Sequence, residues 1–154
     1  MERLSRYGIL VARVMISMVF LLNAFGVIDQ NIPAREMMER GAPSALVPVM
    51  MLAGRSVELV AGMALILGIF PRLAAVALFA FLVPATLVSH SFWLSAGTPA
   101  FMGQLVNFSK NFAILGGLLF VASTQSQPAL IRSIYARKAS GSLDEIASHS
   151  ESRV

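Results

Sequence analysis

Five ionisable residues, Arg13, Arg55, Glu58, His90 and Lys110, stand inside stretches of this chain that are otherwise apolar. Three amides, Asn23, Asn107 and Asn111, stand with them. A charge at the centre of a bilayer costs at least about 2.5–3.5 kcal/mol on insertion scales, so each needs a partner, a polar cavity or a route to water. Arg55 and Glu58 are three residues apart and so share a helix face. They either neutralise each other as a packing pair or line a polar cavity. Asn107, Lys110 and Asn111 recur at spacings of three and four, again on one side of a helix. Taken together, Arg55 and Lys110 against Glu58 leave the set net positive, and His90 can exchange a proton near neutral pH. Such a set suits an anion or a polar carbonyl, such as a quinone head group. A metal cation fits poorly, because one carboxylate and one imidazole beside two cations are too few ligands. The roles follow from chemistry. Glu58 accepts or relays a proton, and His90 bonds or exchanges protons at the mouth. Arg55 and Lys110 hold an anionic or carbonyl oxygen, with Asn23, Asn107 and Asn111 as further ligand-binding groups.

The elements that position these residues are set by composition. The chain has 154 residues, 56% hydrophobic and 13% charged, with a mean hydropathy of +0.74. Soluble domains carry about 25% charged residues. The balance excludes a soluble globular enzyme and a disordered chain. The isoelectric point of 10.4 does not signal nucleic acid, because the net charge is only +4 and no basic face interleaves with aromatics. With no cysteine, the chain has no disulfide, thiol redox centre or cysteine-ligated cluster of its own. Two histidines, His90 and His149, do not make a metal or haem site.

A membrane-spanning helix needs about 20 mainly apolar residues. Four segments qualify, at about residues 8–28, 46–70, 73–94 and 105–123. The first is longer than the 7–15-residue apolar region of a signal peptide and is broken by Arg13, so it reads as a retained span. Pro71-Arg72 joins the second and third spans almost without a loop, which forces an antiparallel hairpin. Between the first two spans, Pro33 and Gly41 punctuate a short helix at about 34–40. Gly54, Ala61, Gly62, Gly116 and Gly117 let helices approach closely. Pro84 kinks the third span, and the methionines read as packing.

Positive residues near span ends set orientation. Arg3, Arg6, Arg72, Arg132, Arg137 and Lys138 fall on one side, Arg35 and Arg40 on the other. Both termini are therefore expected to be cytoplasmic. Arg13 lies close enough to that side to snorkel to the interface. Residues 1–127 form the membrane domain and 128–154 a basic tail, with a short interfacial helix at 128–138 and disorder beyond it. Asn23, Arg55, Glu58, His90, Asn107, Lys110 and Asn111 all fall at the midplane or in the outer half. Every span contributes, so side chains that avoid lipid at that depth are expected to converge inside the bundle. Two of them have plainer readings. Lys110 can snorkel outward, and His90 can be an interfacial histidine.

Several stretches carry a family likeness. The run ELVAGMALILGIFPRLAA at residues 58–75 resembles the core of the DoxX family, as do Gly41-Ala42-Pro43 before the second span and Asn107-Phe108-Ser109-Lys110-Asn111 before Gly116-Gly117. The likeness covers about residues 8–123. It implies a small four-span protein of the bacterial cytoplasmic (inner) membrane, with Glu58, Asn107 and Lys110 at the family's polar positions. Some members are subunits of thiosulfate:quinone oxidoreductases, and others are linked to membrane complexes that handle thiol or oxidative stress. The expectation is an all-α integral membrane four-helix bundle. Its function would be that of a membrane subunit of an oxidoreductase system, binding a quinone or a small anionic sulfur compound in an outer-half polar cavity. No cofactor is intrinsic, and a quinone is the candidate ligand. The expected partners are the lipid bilayer and either a second copy or a larger redox complex, with no nucleic acid. A carrier of small solutes or lipids, and a non-catalytic anchor for another complex, are the alternatives.

Overall fold

A computed structural model describes residues 2–29 and 31–124. The basic tail at 128–154 lies outside the described residues, and so does the interfacial helix expected within it. Among the described residues all regular structure is helical. It comprises α1 (Glu2–Ala24), α2 (Asn31–Glu39), α3 (Val47–Leu67), α4 (Pro71–Ser89) and α5 (Phe101–Thr124), with a 3-10 turn at Phe92–Ser95. Four helical segments are long and apolar enough to cross a bilayer: Tyr7–Ala24, Val47–Leu67, Pro71–Ser95 and Phe101–Thr124.

Local chemistry explains where each helix starts and stops. α1 ends at Ala24, short of the expected 28, because Gly26 takes a left-handed conformation at φ +74°. The Val27 and Gly26 N–H groups then bond the Leu22 and Asn23 carbonyls, each at 2.9 Å. This six-to-one and five-to-two pattern closes a helix that ends in a left-handed residue. α3 stops in the same way at Gly68 (φ +71°), with Ile69 N–H on the Ala64 carbonyl at 2.9 Å and Gly68 N–H on that of Leu65 at 3.3 Å. Pro71 opens α4, where a missing N–H costs nothing. α4 runs on through Pro84. α2 begins at Asn31, ahead of the expected 34, where the Asp29 carboxylate accepts from the Asn31 backbone and side chain, both at 2.9 Å.

The spans form an up-down-up-down ring in chain order. α1 packs on α3, α3 on α4 and α4 on α5, while α1 meets α5 along a shorter contact. The core is Phe20, Leu65, Leu78 and Leu118, with Ala61, Ala74, Ala75, Leu82 and Val121 around them. Small residues sit where helices touch. A Cβ on Gly62 would lie 3.2 Å from Leu21, one on Gly117 3.3 Å from Ile16, and one on Gly54 2.9 Å from Phe81. Large apolar side chains such as Leu52, Val60, Leu73 and Phe120 are exposed on the outside of the ring, the pattern of a protein whose solvent is lipid.

α1 is out of step with the other three spans. Its Arg13 lies against Gly68 at the end of α3, and its Asn23 meets Glu58 in the middle of α3. The same run of residues separates each pair on the two antiparallel helices, so the register is constant. α1 therefore stops halfway along α3, while residues 2–12 continue past the α3–α4 turn. At about 1.5 Å per residue that extension is about 16 Å long.

Candidate functional site

The centre of the site is Glu58. Its position on α3 falls on the stripe Glu58, Ala61, Gly62 and Leu65, all buried and turned toward α1 and the core. Glu58 is 3% exposed. Asn23, on the last turn of α1, donates its Nδ2 to both carboxylate oxygens, at 2.8 Å to Oε1 and 2.7 Å to Oε2. An amide suits this place chemically. It donates to a carboxylate through its nitrogen, and after a half-turn its oxygen accepts from a carboxylic acid. The Asn23–Glu58 pair can thus keep a hydrogen bond in either protonation state.

Arg55, one turn away on the same face, reaches the end of α1. Its Nε and Nη2 donate to the Ala24 carbonyl at 3.1 and 2.8 Å. The reason is local. The glycine-ended turn uses the Leu22 and Asn23 carbonyls and leaves that of Ala24 open. Gly26 is needed here for its left-handed backbone, φ +74°; a Cβ there would make only an ordinary contact, 3.4 Å from Arg55 Nη2. A cation at a helix C-terminus is also favoured by the aligned peptide dipoles. Two other arginines sit in the same kind of place. The Arg13 guanidinium lies against Gly68 at the C-terminal end of α3. Arg72 Nε donates to the Ala122 carbonyl at 2.9 Å in the last turn of α5. Arg13 thus lies at the end of the bundle toward which it was expected to snorkel.

The other expected residues form a second polar layer between α4 and α5. Asn111 Nδ2 donates to Thr86 Oγ1 at 3.0 Å. His90, at the end of α4, pairs through Nδ1 with Gln104 Oε1 at 3.0 Å. Below it the Ser91 hydroxyl donates to the Leu87 carbonyl. Lys110 is exposed, and its Nζ donates to Asn107 Oδ1 at 3.4 Å. Asn107 is one turn nearer the end of the bundle that carries α2, so the lysine leans that way, the direction expected of a snorkelling side chain. Phe92, Trp93, Phe101 and Phe108 pack edge to face at that end, with ring centroids 5.2–6.1 Å apart.

The structure therefore joins Asn23, Arg55 and Glu58 across α1 and α3, and Asn111 and His90 to α4–α5 partners. Lys110 shares an α5 face with Gly117 and Gly103, seven residues away on either side. Gly117 touches α1, whereas a Cβ at Gly103 would meet nothing within 4 Å. Lys110 thus faces the side of the bundle on which α1 ends early. Sequence reasoning missed Thr86 and Gln104. Thr86 stands four residues before His90, on its helix face, and that spacing was the available signal. Among the described residues no three His, Asp or Glu side chains gather where a metal could sit.

Comparison with known proteins places the chain. A family profile described as DoxX matches residues 8–91, a stretch that carries Asn23, Arg55, Glu58 and His90. The chain is also similar to the inner membrane protein YqjF of Escherichia coli (strain K12), with 29% identity over 125 residues, 80% of this chain and 88% of that protein. No solved structure matches it. With four apolar helices long enough to span a bilayer and the profile covering more than half its length, this chain is a multi-pass inner-membrane protein and belongs to the DoxX family.

Proposed function

We propose that this protein is the membrane subunit of an oxidoreductase system and that it binds a quinone, or a small anionic sulfur compound, beside the end of α1. The observation that carries the reading is Glu58. It is a carboxylate 3% exposed, at the middle of a span, held by an amide that can serve both of its protonation states. Ionisable groups at such depth mark ligand or proton pathways. Reduction of a quinone takes up two electrons and two protons. Glu58 relays a proton, with Asn23 turning over to hold it. Lys110, with Asn107 behind it, steadies the anionic or carbonyl oxygen from the side that α1 leaves open, and Arg55 keeps the end of α1 in place. The electrons come from a partner oxidoreductase, because a chain without cysteine has no thiol couple of its own. His90 and Gln104 stand at the mouth, at the end that carries α2. The excess of positive residues at the other end of the bundle orients that end to the cytoplasm, so that mouth opens on the outer side.

Trp93 is the only tryptophan and sits at that end of the bundle, which makes it a built-in probe. A short-chain quinone titrated into detergent-solubilised protein should quench its fluorescence to saturation. Lys110→Ala should weaken the apparent affinity about tenfold, about 1.4 kcal/mol. Quenching that rises linearly in both proteins, without saturation, contradicts the reading.

A second reading has its own support. Arg13, Arg55 and Arg72 each touch the C-terminal end of a neighbouring helix, which is what charges that only hold a scaffold together do. On that reading the protein is a non-catalytic anchor. Glu58→Gln would then leave the activity of the host complex unchanged, whereas a proton relay through Glu58 requires that activity to fall.

A further inference from the structure

Two independent contacts fix how far α1 reaches toward the outer face. The Asn23–Glu58 hydrogen bonds bring Ala24 level with about Val57 on the antiparallel α3. At about 1.5 Å per residue, about 15 Å of α3 remains beyond that level, up to its outer end at Val47. Ile16 beside Gly117 brings Ala24 level with about Ser109 on α5, and about 12 Å of α5 remains beyond it, up to Phe101. Both of these outer stretches carry exposed apolar side chains, Val49, Met50 and Leu52 on α3 and Met102 and Val106 on α5, as surfaces in lipid do. α1 therefore stops inside the outer half of the bilayer. Beyond it the chain is no longer helical. Phe25, Gly26, Val27, Ile28 and Asp29 are turn and coil, and all five are exposed. Backbone that leaves the helical ladder within the hydrocarbon is tolerated only where protein buries it or water reaches it. Exposure removes the first alternative. The charges at this level point the same way. Arg55 spends Nε and Nη2 on the single Ala24 carbonyl, whereas a guanidinium has five N–H donors and stays ionised. Lys110 comes level with Asn23 on the α1 side of α5 and is exposed.

We infer that α1 is a broken span whose end opens an aqueous inlet, running from the outer face between α3 and α5 down to the Asn23–Glu58 pair. The left-handed turn at Gly26 forms its floor, and Arg55 and Lys110 stand at its sides. The inlet joins the buried carboxylate to the outer aqueous phase, so a proton taken up or released by Glu58 is exchanged on that side. This inference concerns the access of water and holds whatever ligand the site takes.

Because the chain has no cysteine, single thiols in the full chain report water directly. Lys110→Cys and Val27→Cys probe the inlet. Ser109→Cys and Ser56→Cys probe the outside of α5 and α3 at the same depth, where both serines are exposed. Spheroplasts are treated with a charged, membrane-impermeant methanethiosulfonate. Only a thiolate reacts, and a thiol in apolar surroundings stays protonated, so Lys110→Cys or Val27→Cys should be modified at least about tenfold faster than both serine positions. Equally rapid modification at all four would overturn the inference, because the bilayer would then end at that depth and α1 would cross it whole. Failure of both inlet thiols to outpace the serines, with all four open to a lipid-soluble maleimide, would overturn it in favour of lipid at the break. Faster modification seen only in inside-out vesicles would overturn the outward opening.

Discussion

Removing Asn23 is the sharpest perturbation of the site. Its Nδ2 makes two short contacts, 2.8 and 2.7 Å, to a carboxylate that is 3% exposed. In Asn23→Ala that carboxylate loses its donor while staying buried. A hydrogen bond to a charged group is worth about 1.5–3 kcal/mol. Interhelical hydrogen bonds in membrane proteins average less, about 0.6 and at most about 1.7 kcal/mol, because the unfolded chain in the bilayer also finds partners. The two contacts share one nitrogen and count as one donor group. The expected loss is therefore about 1.5–2 kcal/mol. The assay is reversible unfolding in mixed detergent micelles, followed by helical circular dichroism. The comparison is a cycle with Glu58→Leu, which removes the buried acceptor. In that background Asn23→Ala should cost under about 0.5 kcal/mol, since the amide has lost the group it served, leaving a coupling of at least about 1 kcal/mol. Equal costs in both backgrounds would refute the pairing as the source of the stability.

Other predictions follow from the same geometry. Gly68→Ala should cost about 1–2 kcal/mol for the left-handed backbone alone, and its Cβ would stand 2.6 Å from Arg13 Nη1, so part of any further loss should vanish in an Arg13→Leu background measured by the same unfolding assay. Gly54→Ala should cost about 1–3 kcal/mol by pushing on the Phe81 ring. Gly116→Ala, which meets nothing within 4 Å, should be neutral or gain up to about 1 kcal/mol of helix propensity; a loss as large as that of Gly54→Ala would show that this face of α5 is covered by protein. Asn111→Ala and Thr86→Val should each cost about 1 kcal/mol singly and clearly less than the sum together, because the double change removes both ends of one hydrogen bond.

The four spans were legible because lipid imposes length and composition on them. Glu58 and Arg55 were legible because a charge near mid-span stands out against apolar neighbours. Their partners were harder to find. The Ala24 carbonyl is backbone, and no side-chain pattern announces it. Only the stop at Gly26 leaves it open, and the apolar run Phe25-Gly26-Val27-Ile28 disguises that stop as more span. The inward shift of α1 was hidden for the same reason, since hydropathy marks where a segment can be buried and not the register in which it pairs. The tight turn before Pro71 was plain from sequence, because proline suits a first helical turn and glycine a helix end. Thr86 and Gln104 carry no charge and raise no flag in a hydropathy reading, yet they hold Asn111 and His90.

The proposed role requires the polar side chains around Glu58 and Lys110 to serve a lipid-soluble redox partner. The most direct measurement is mass spectrometry of the solvent extract from protein purified in mild detergent. A quinone near one molecule per chain is expected in the wild type, and its loss in Lys110→Ala, at unchanged helical content. An extract with only bulk lipid, or a quinone content unchanged by that substitution, would contradict it.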